Sequence, residues 1–519
     1  MRTPPPSYGI IYNWDGAPHG YSAYPQSLAQ FIDKVYAPLE DTQVGALAWC
    51  MGLHEATWPS EKLDMVGDST DRRYNWAREM HHNENIRAFF ERGEDLYGAL
   101  IQRGKEQGID TYASLRLNDN HFWDLRPGDL ATTTRNELTP LRKEHPEWLL
   151  GTEHAPDWTS TSWNLAVPEV RDHILKLVGE ACQQADWDGV ELDWQRHAFH
   201  LPDDHGHRLR YTITDLMRAI RTTTDEIAAQ RGRPFYLAVR IATTFESCTN
   251  IGYDIETWTK ENLCDLIISG GNSGTDPGAE IERFAALCQG HDIHYYSGFD
   301  TDGRQQAQRL RPHAQWRQEW FRGLAKNHLD RGANGVYVFN WHGHRNTHRS
   351  LLTTMGSIET LRGHDKVYTA LHRTITAKSA PRAEAGRADR IYGEVPVELH
   401  RTFTETGPIF NIHITDDERP IQAELQIEIA HFSMADKVKV ALDGVGLGTA
   451  AIRDAAAEDY SAPSDVSENK WLTWTLESEQ VLRGRHRVQI FLIHRDARLA
   501  VPMRIEHVEI YLQLSATTY

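Results

Sequence analysis

The sequence predicts an α/β fold, a (β/α)8 TIM barrel followed by a C-terminal β-sandwich domain. Three observations carry this. Over the first two thirds of the chain, short β-rich runs with polar or glycine-rich tips alternate with longer segments whose apolar residues recur every three to four positions. Eight such units are present before about residue 375, as a closed parallel barrel requires. Beyond the polar stretch Lys378–Asp389 (KSAPRAEAGRAD), helical periodicity gives way to short alternating runs.

The barrel strands are expected at Tyr8–Asp15, Val44–Cys50, Thr111–Leu117, Gly189–Trp194, Phe235–Ile241, Asp265–Ser269, Ile293–Ser297 and Gly335–Asn340. Helical spacing marks Asn85–Lys105, Glu169–Gln184, Arg208–Gln230, Pro277–Gln289 and His313–Asp330 between them. Pro168 fits the first turn of the second of these helices, with Glu169 at the positive end of its dipole. A doubly wound open sheet is the competing topology. Its glycine-rich phosphate loop is missing here, because the first strand runs into NWDGAPHG and not GxGxxG.

The expected division is a barrel at 1–377, a linker at 378–391 and a sandwich at 392–519. Seven runs (Val395–Leu399, Ile409–Ile414, Ala423–Ile429, Lys437–Leu442, Trp471–Leu476, Arg487–Leu492 and Ile505–Leu512) supply the sandwich strands. This domain reads either as a carbohydrate-binding module, using Trp471 or Trp474, or as a packing or oligomerisation domain. Three positions apart on one strand, the two tryptophans face opposite sides.

The 519 residues, 40% hydrophobic and 25% charged, describe globular material and exclude fibrous or disordered classes. With Lys+Arg at 55 and Asp+Glu at 73, the formal charge of −18 argues against a nucleic-acid partner. No apolar run approaches the ~18 residues of a membrane span, so no membrane partner is expected. Five scattered cysteines without a CxxC pair read as buried reduced thiols. The N-terminus, MRTPPPSYGIIYNW, carries no signal-like pattern, which fits the cytoplasm, or the periplasm or exterior if a signal has been removed.

In such barrels chemistry sits at the C-terminal strand ends. Those tips carry Asn13 and Asp15; His54; Arg116, Asn118 and His121; Glu191, Asp193, Gln195, Arg196 and His197; Arg240 and Glu246; Asn272; Asp300; and Asn340, Trp341 and His342. On strand four (DGVELDWQRH), alternation turns Val190 and Leu192 outward and sends Glu191, Asp193 and Gln195 inward in successive layers. A buried carboxylate needs a partner. The simplest arrangement pairs Glu191 with Arg116, Arg240 or both and leaves Asp193 free for chemistry; in the alternative, Glu191 is itself catalytic.

Cleaving a glycosidic bond takes two carboxyl groups, one protonating the leaving oxygen and one acting as nucleophile or base. They stand ~5–5.5 Å apart in retaining enzymes and ~6.5–9.5 Å apart in inverting ones. Asp193 is the first expected member, with Glu246 as the nearest candidate acid and Asp300 as the second.

DGVELDW on strand four, the WNLAVPEVR helix entry and ANGVYVFNW on strand eight resemble the glycosyl-hydrolase-like TIM-barrel proteins of polysaccharide-degrading bacteria, over about residues 8–375. The resemblance implies a barrel acting on carbohydrate. Strand four is also similar to the DxxDxDxE signature of family-18 chitinases at Asp188, Glu191 and Asp193, but Gln195 stands where that family has its catalytic glutamate. An Asp at the end of strand four resembles the nucleophile of α-galactosidase-like and α-fucosidase-like barrels, which implies that role for Asp193.

Trp14, Trp58, Trp123, Trp194 and Trp341 lie at or past strand ends, where indoles stack on sugar faces. Arginines and histidines gather at the same predicted face of an acidic protein, which favours a substrate carrying sulfate or a uronic carboxylate. No cofactor and no catalytic metal are expected, because His81-His82 and His342-Gly-His344 lack metal-site grammar; His81 and His82 are expected to open a helix, exposed. The expected function is therefore a glycoside hydrolase acting on a poly- or oligosaccharide. A catalytically silent glycan-binding barrel and a polysaccharide lyase are the alternatives.

Overall fold

The computed structural model describes residues 3–14, 23–52, 55–61, 63–120, 125–133, 139–155, 159–202, 205–270, 278–300, 317–341, 343, 346–370, 394–400, 405–454 and 469–515. Eight parallel strands close into a barrel in sequence order: β1 (Ile10–Trp14), β2 (Val44–Gly52), β3 (Asp110–Arg116), β4 (Gly189–Asp193), β5 (Tyr236–Ile241), β6 (Leu266–Ser269), β7 (His294–Asp300) and β8 (Gly335–Phe339). The expected TIM barrel is present. Strand β7 runs on to Asp300, so that residue is held by a strand and not by a loop.

Alternation along each strand sorts side chains into two cores. Outward residues such as Val190, Leu192, Val336 and Val338 join a large apolar cluster between the strands and the surrounding helices. Inward residues form a second cluster that includes Tyr8, Ile11, Tyr112, Ile268, Tyr296, Tyr337 and Phe339. The lower end of the barrel is plugged by tyrosines. The Tyr8 hydroxyl donates to Asp110 Oδ2 at 2.6 Å and shares a 2.9 Å hydrogen bond with Tyr112, while the Tyr296 hydroxyl accepts from the Tyr8 backbone at 3.0 Å. Glycine makes room for these rings: a Cβ on Gly189 would lie 2.3 Å from the Tyr236 carbonyl and 2.5 Å from the Tyr112 ring. With this end filled by aromatics, polar chemistry is confined to the other.

The helix expected over Asn85–Lys105 is two helices, Ala77–Glu91 and Leu96–Gln107. Gly93 takes φ +71°, and Asp95 caps the second helix by accepting from the Gly98 N–H at 2.8 Å, so the chain stops and restarts. His81 and His82 therefore sit one turn inside a helix, half-buried against Tyr24 and Phe31, instead of exposed at its start. Helices Pro168–Gln183 and Gly206–Arg231 fall where expected. All five cysteines are buried and free. No described helix is long and apolar enough to cross a membrane.

The expected linker lies outside the described residues. Beyond it, two antiparallel sheets face each other across a shared apolar core. One has the order β10 (Val397–Leu399), β18 (Met503–Gln513), β12 (Gln422–Ala430), β16 (Lys470–Leu476) and β15 (Ala451–Asp454). The other runs β11 (Ile409–Ile414), β17 (Gly484–His494), β13 (Lys437–Leu442) and β14 (Val445–Gly446). Strand β9 (Lys366–Thr369), inside the span expected for the barrel unit, pairs with β18, so sheet pairing crosses the expected boundary. Trp471 and Trp474 do face opposite sides, but neither offers an open ring. Trp474 lies in the inter-sheet core, and Trp471 is covered by His507 and Arg453.

Candidate active site at the barrel mouth

Strand register builds the site. Arg116, Asp193 and Arg240 are direct partners across β3, β4 and β5, and one layer below them Ser114, Glu191 and Ala238 stand level. The ion pair is therefore the reverse of the one expected. Arg240 Nη1 donates to both Asp193 oxygens at 3.0 Å, and Arg116 turns to Asp119 Oδ2, also at 3.0 Å. Glu191 takes neutral partners: the Tyr337 hydroxyl donates to Oε1 at 2.5 Å and Asn13 Nδ2 to Oε2 at 3.1 Å. Alternation alone places these carboxylates inward, but only register decides which of them meets an arginine.

These partners set the charges. Burial, then the nearby charge of Asp193, raises the Glu191 carboxyl above its ordinary range. Burial is the largest single influence on Arg240 and disfavours its charge, but Asp193, Tyr337, Asp300 and Glu191 together outweigh it, so the guanidinium stays protonated. Asp193 is buried with an uneven hydrogen-bond set. Its Oδ1 accepts from Arg240 and from the backbone N–H groups of Gln195 at 3.0 Å and Arg196 at 3.1 Å, whereas among the described residues Oδ2 accepts from Arg240 only. The pinned side fixes the carboxylate plane and leaves lone-pair capacity on Oδ2.

Asp300 closes the ring from the other side. It pairs with Phe339 across β7 and β8, accepts from Asn340 Nδ2 at 3.3 Å and acts electrostatically on Arg240. Asn340 holds φ +49°, a left-handed turn that asparagine tolerates. The Phe339 ring lies under three guanidinium groups: Arg240 at 4.0 Å from its centroid, Arg116 at 5.4 Å and Arg196 at 5.6 Å. Glu246 stands apart, exposed in the first turn of helix Phe245–Ile251.

Several expected ligand contacts are structural instead. Asn118 clamps the following loops, donating to the Trp163 and Phe199 carbonyls and accepting from the Trp163 N–H. Trp194 packs against Tyr253, Trp258 and His200, and Trp341 against Phe321 and His348. Trp14 stacks on Trp49, and Trp58 is fully buried. Trp14, Trp58, Trp194 and Trp341 all belong to the apolar cluster between the strands and the surrounding helices, so they are core and not groove lining. His197, at φ +57°, accepts from the Asn120 N–H through Nδ1 at 3.0 Å and lies 3.3 Å from Asp119. Asp15, His54, His121, Trp123, Asn272 and His342 lie outside the described residues.

Asp119, Ser114, Tyr337 and Phe339 complete the site and are absent from the sequence reading. Asp119 was legible as a carboxylate within the polar tip LNDN. Tyr337 and Phe339 share the inward parity of Gly335 in GVYVFN, and two aromatic residues there read more readily as core. Among the described residues, no group of three or more His, Cys, Asp or Glu side chains has the arrangement of a metal site.

No family model matches the sequence, and no curated protein is similar to it. Among solved structures, the chain is similar to a Paenibacillus cycloisomaltooligosaccharide glucanotransferase at 12% identity and TM-score 0.29, over 96% of this chain and 57% of that one. It is also similar to the GH36 α-galactosidase AgaA of Geobacillus stearothermophilus, at 10% identity and TM-score 0.35, over 93% of this chain and 55% of that one. A class V chitinase from Pseudomonas fluorescens is matched at 10% identity and TM-score 0.35, over 66% of this chain and 98% of that one. The chain spans little more than half the length of the first two. At these TM-scores the likenesses place no residue role on this chain.

Proposed function

We propose that the protein is a glycoside hydrolase acting on an acidic poly- or oligosaccharide, with Asp193 as nucleophile or base and Asp300 as its acid partner. The observation that carries this reading is the pair of buried strand-end carboxylates facing Arg240, one of them pinned so that Oδ2 keeps free lone-pair capacity. Two fixed carboxyl groups at the open end of a barrel meet the requirement of glycosidic cleavage. Asp300 is preferred to Glu246 because a strand holds it, buried, beside the same arginine. An acidic sugar is supported by the convergence of three guanidiniums. Arg116, Arg196 and Arg240 gather over the one Phe339 ring, and guanidinium groups so placed suit a carboxylate or sulfate on the substrate.

The second reading is a silent glycan-binding barrel, favoured by the firm hold of Arg240 on Asp193 and by Gln195 in the chitinase-like position. Release of reducing ends from a panel of sulfated and uronic polysaccharides, together with their desulfated or carboxyl-reduced forms, separates the two. Asp193→Asn is expected to lower turnover by about a thousandfold or more and Asp300→Asn by about a hundredfold, with binding retained, whereas Glu246→Gln changes little. Binding without turnover in the wild type supports the silent barrel. Equal turnover of charged and uncharged forms removes the acidic sugar.

A further inference from the structure

Gln195 is 1% exposed, and among the described residues neither its side-chain oxygen nor its side-chain nitrogen has a hydrogen-bond partner. Its backbone N–H donates to Asp193 Oδ1 at 3.0 Å, so the residue that carries this amide is tied directly to the candidate nucleophile. A buried side-chain amide with both atoms unpaired destabilises the empty fold, because both groups leave water without compensation. A purely structural residue at this position gains nothing from an amide; an apolar side chain of the same length fills the space without that cost.

We propose that Gln195 is a specificity-determining residue that reads an uncharged group of the substrate able to donate and accept a hydrogen bond together. Resting on the carbohydrate reading above, this names what the sugar over Asp193 presents: a hydroxyl or an acetamide. The amide offers N–H donors on one side and a carbonyl acceptor on the other. A hydroxyl or a secondary amide satisfies both. A carboxylate or sulfate supplies acceptors only and sets its charge against Oε1, and an ammonium supplies donors only and leaves Nε2 unpaired. Charged substituents are therefore read at the arginines around Phe339, and the sugar over Asp193 is neutral where Gln195 meets it.

The test uses the full chain and Gln195→Met, which keeps the length of the side chain and removes the amide. Its melting temperature is expected to rise above that of the wild type while affinity falls about tenfold or more, a combination that a structural role does not produce. Affinity is measured by calorimetry with three probes: hyaluronan oligosaccharides, the same oligosaccharides after de-N-acetylation, and alginate oligosaccharides. In the wild type, loss of affinity on de-N-acetylation assigns the acetamide, and unchanged affinity assigns a hydroxyl; both agree with the proposal. A lower melting temperature in Gln195→Met overturns it, as does unchanged affinity for every probe the wild type binds. If the wild type binds none of the three, the acidic-carbohydrate reading fails first and this inference falls with it.

Discussion

Glu191 and Asp193 show how neighbouring positions on one strand receive opposite tasks. Both are inward carboxyls on β4, two residues apart, yet Asp193 meets Arg240 and two backbone donors, while Glu191 meets a tyrosine hydroxyl and an amide. Cationic and backbone donors gather at the first, whereas burial and the nearby Asp193 oppose charge on the second. Because burial raises the Glu191 pKa, its proton is lost as pH rises, and ionisation then sets a second negative charge beside Asp193. The contribution of Glu191 to stability is therefore present at low pH and lost as pH rises through its folded-state pKa. Activity is expected to show an alkaline limb from this ionisation. Glu191→Gln, which stays neutral and still accepts from Tyr337, should hold activity further into the alkaline range; a pH–rate profile identical to the wild type's counts against this role.

Strand β4 also shows why the barrel tolerates so little at its lower end. Gly189 is level with Tyr112 on β3 and Tyr236 on β5, and a methyl group there meets the Tyr236 carbonyl and the Tyr112 ring well inside contact distance. Backbone on one side and a packed tyrosine layer on the other leave little room for relaxation. Gly189→Ala is expected to cost about 1–3 kcal/mol, read as a lower urea midpoint at unchanged slope, while the carboxylates at the upper end keep their arrangement. The helices surrounding the barrel depend on local signals instead: Pro168 opens one and Asp95 caps another, each legible without knowledge of the rest.

At the scale of the whole molecule, the barrel and the sandwich are joined by buried charge as well as by β9. Lys366, fully buried, pairs with Asp416 at 2.8 Å; Lys326 donates to Asp330 at 3.1 Å and to the Thr415 carbonyl at 2.9 Å; and Arg317 pairs with Glu509 at 2.7 Å. Histidines buried in neutral form add a pH dependence. Burial lowers His200 and His173 to about 4 and His328 to about 3. Each lies below the ordinary value near 6.5. Their contribution is thus complete above that value and lost as pH falls through the folded-state values, because unfolding lets the rings take up protons. Urea midpoints are expected to fall steadily from pH 6.5 towards pH 4, and His328→Gln should flatten part of that slope. A midpoint independent of pH over this range would contradict the assignment.

The division between what the chain spells out locally and what folding decides follows from the range of the forces involved. Strand positions, helix starts, the eightfold alternation and the inward parity of Glu191 and Asp193 come from periodicity and caps, which act over a few residues, and the sequence by itself determined them. It also determined that polar groups collect at the strand tips. Tertiary structure decided which of these groups meet. Arg240 reaches Asp193 and not Glu191 because the stagger between β4 and β5 puts residues 193 and 240 level, and that register is set by packing across the closed barrel. The same cause separates Asp300 from Glu246: a strand carries the first into the site, and a short helix presents the second to solvent. Packing likewise turned Trp14, Trp58, Trp194 and Trp341 into core, because an indole near a tip stacks on a ligand only when the surrounding helices leave its face open.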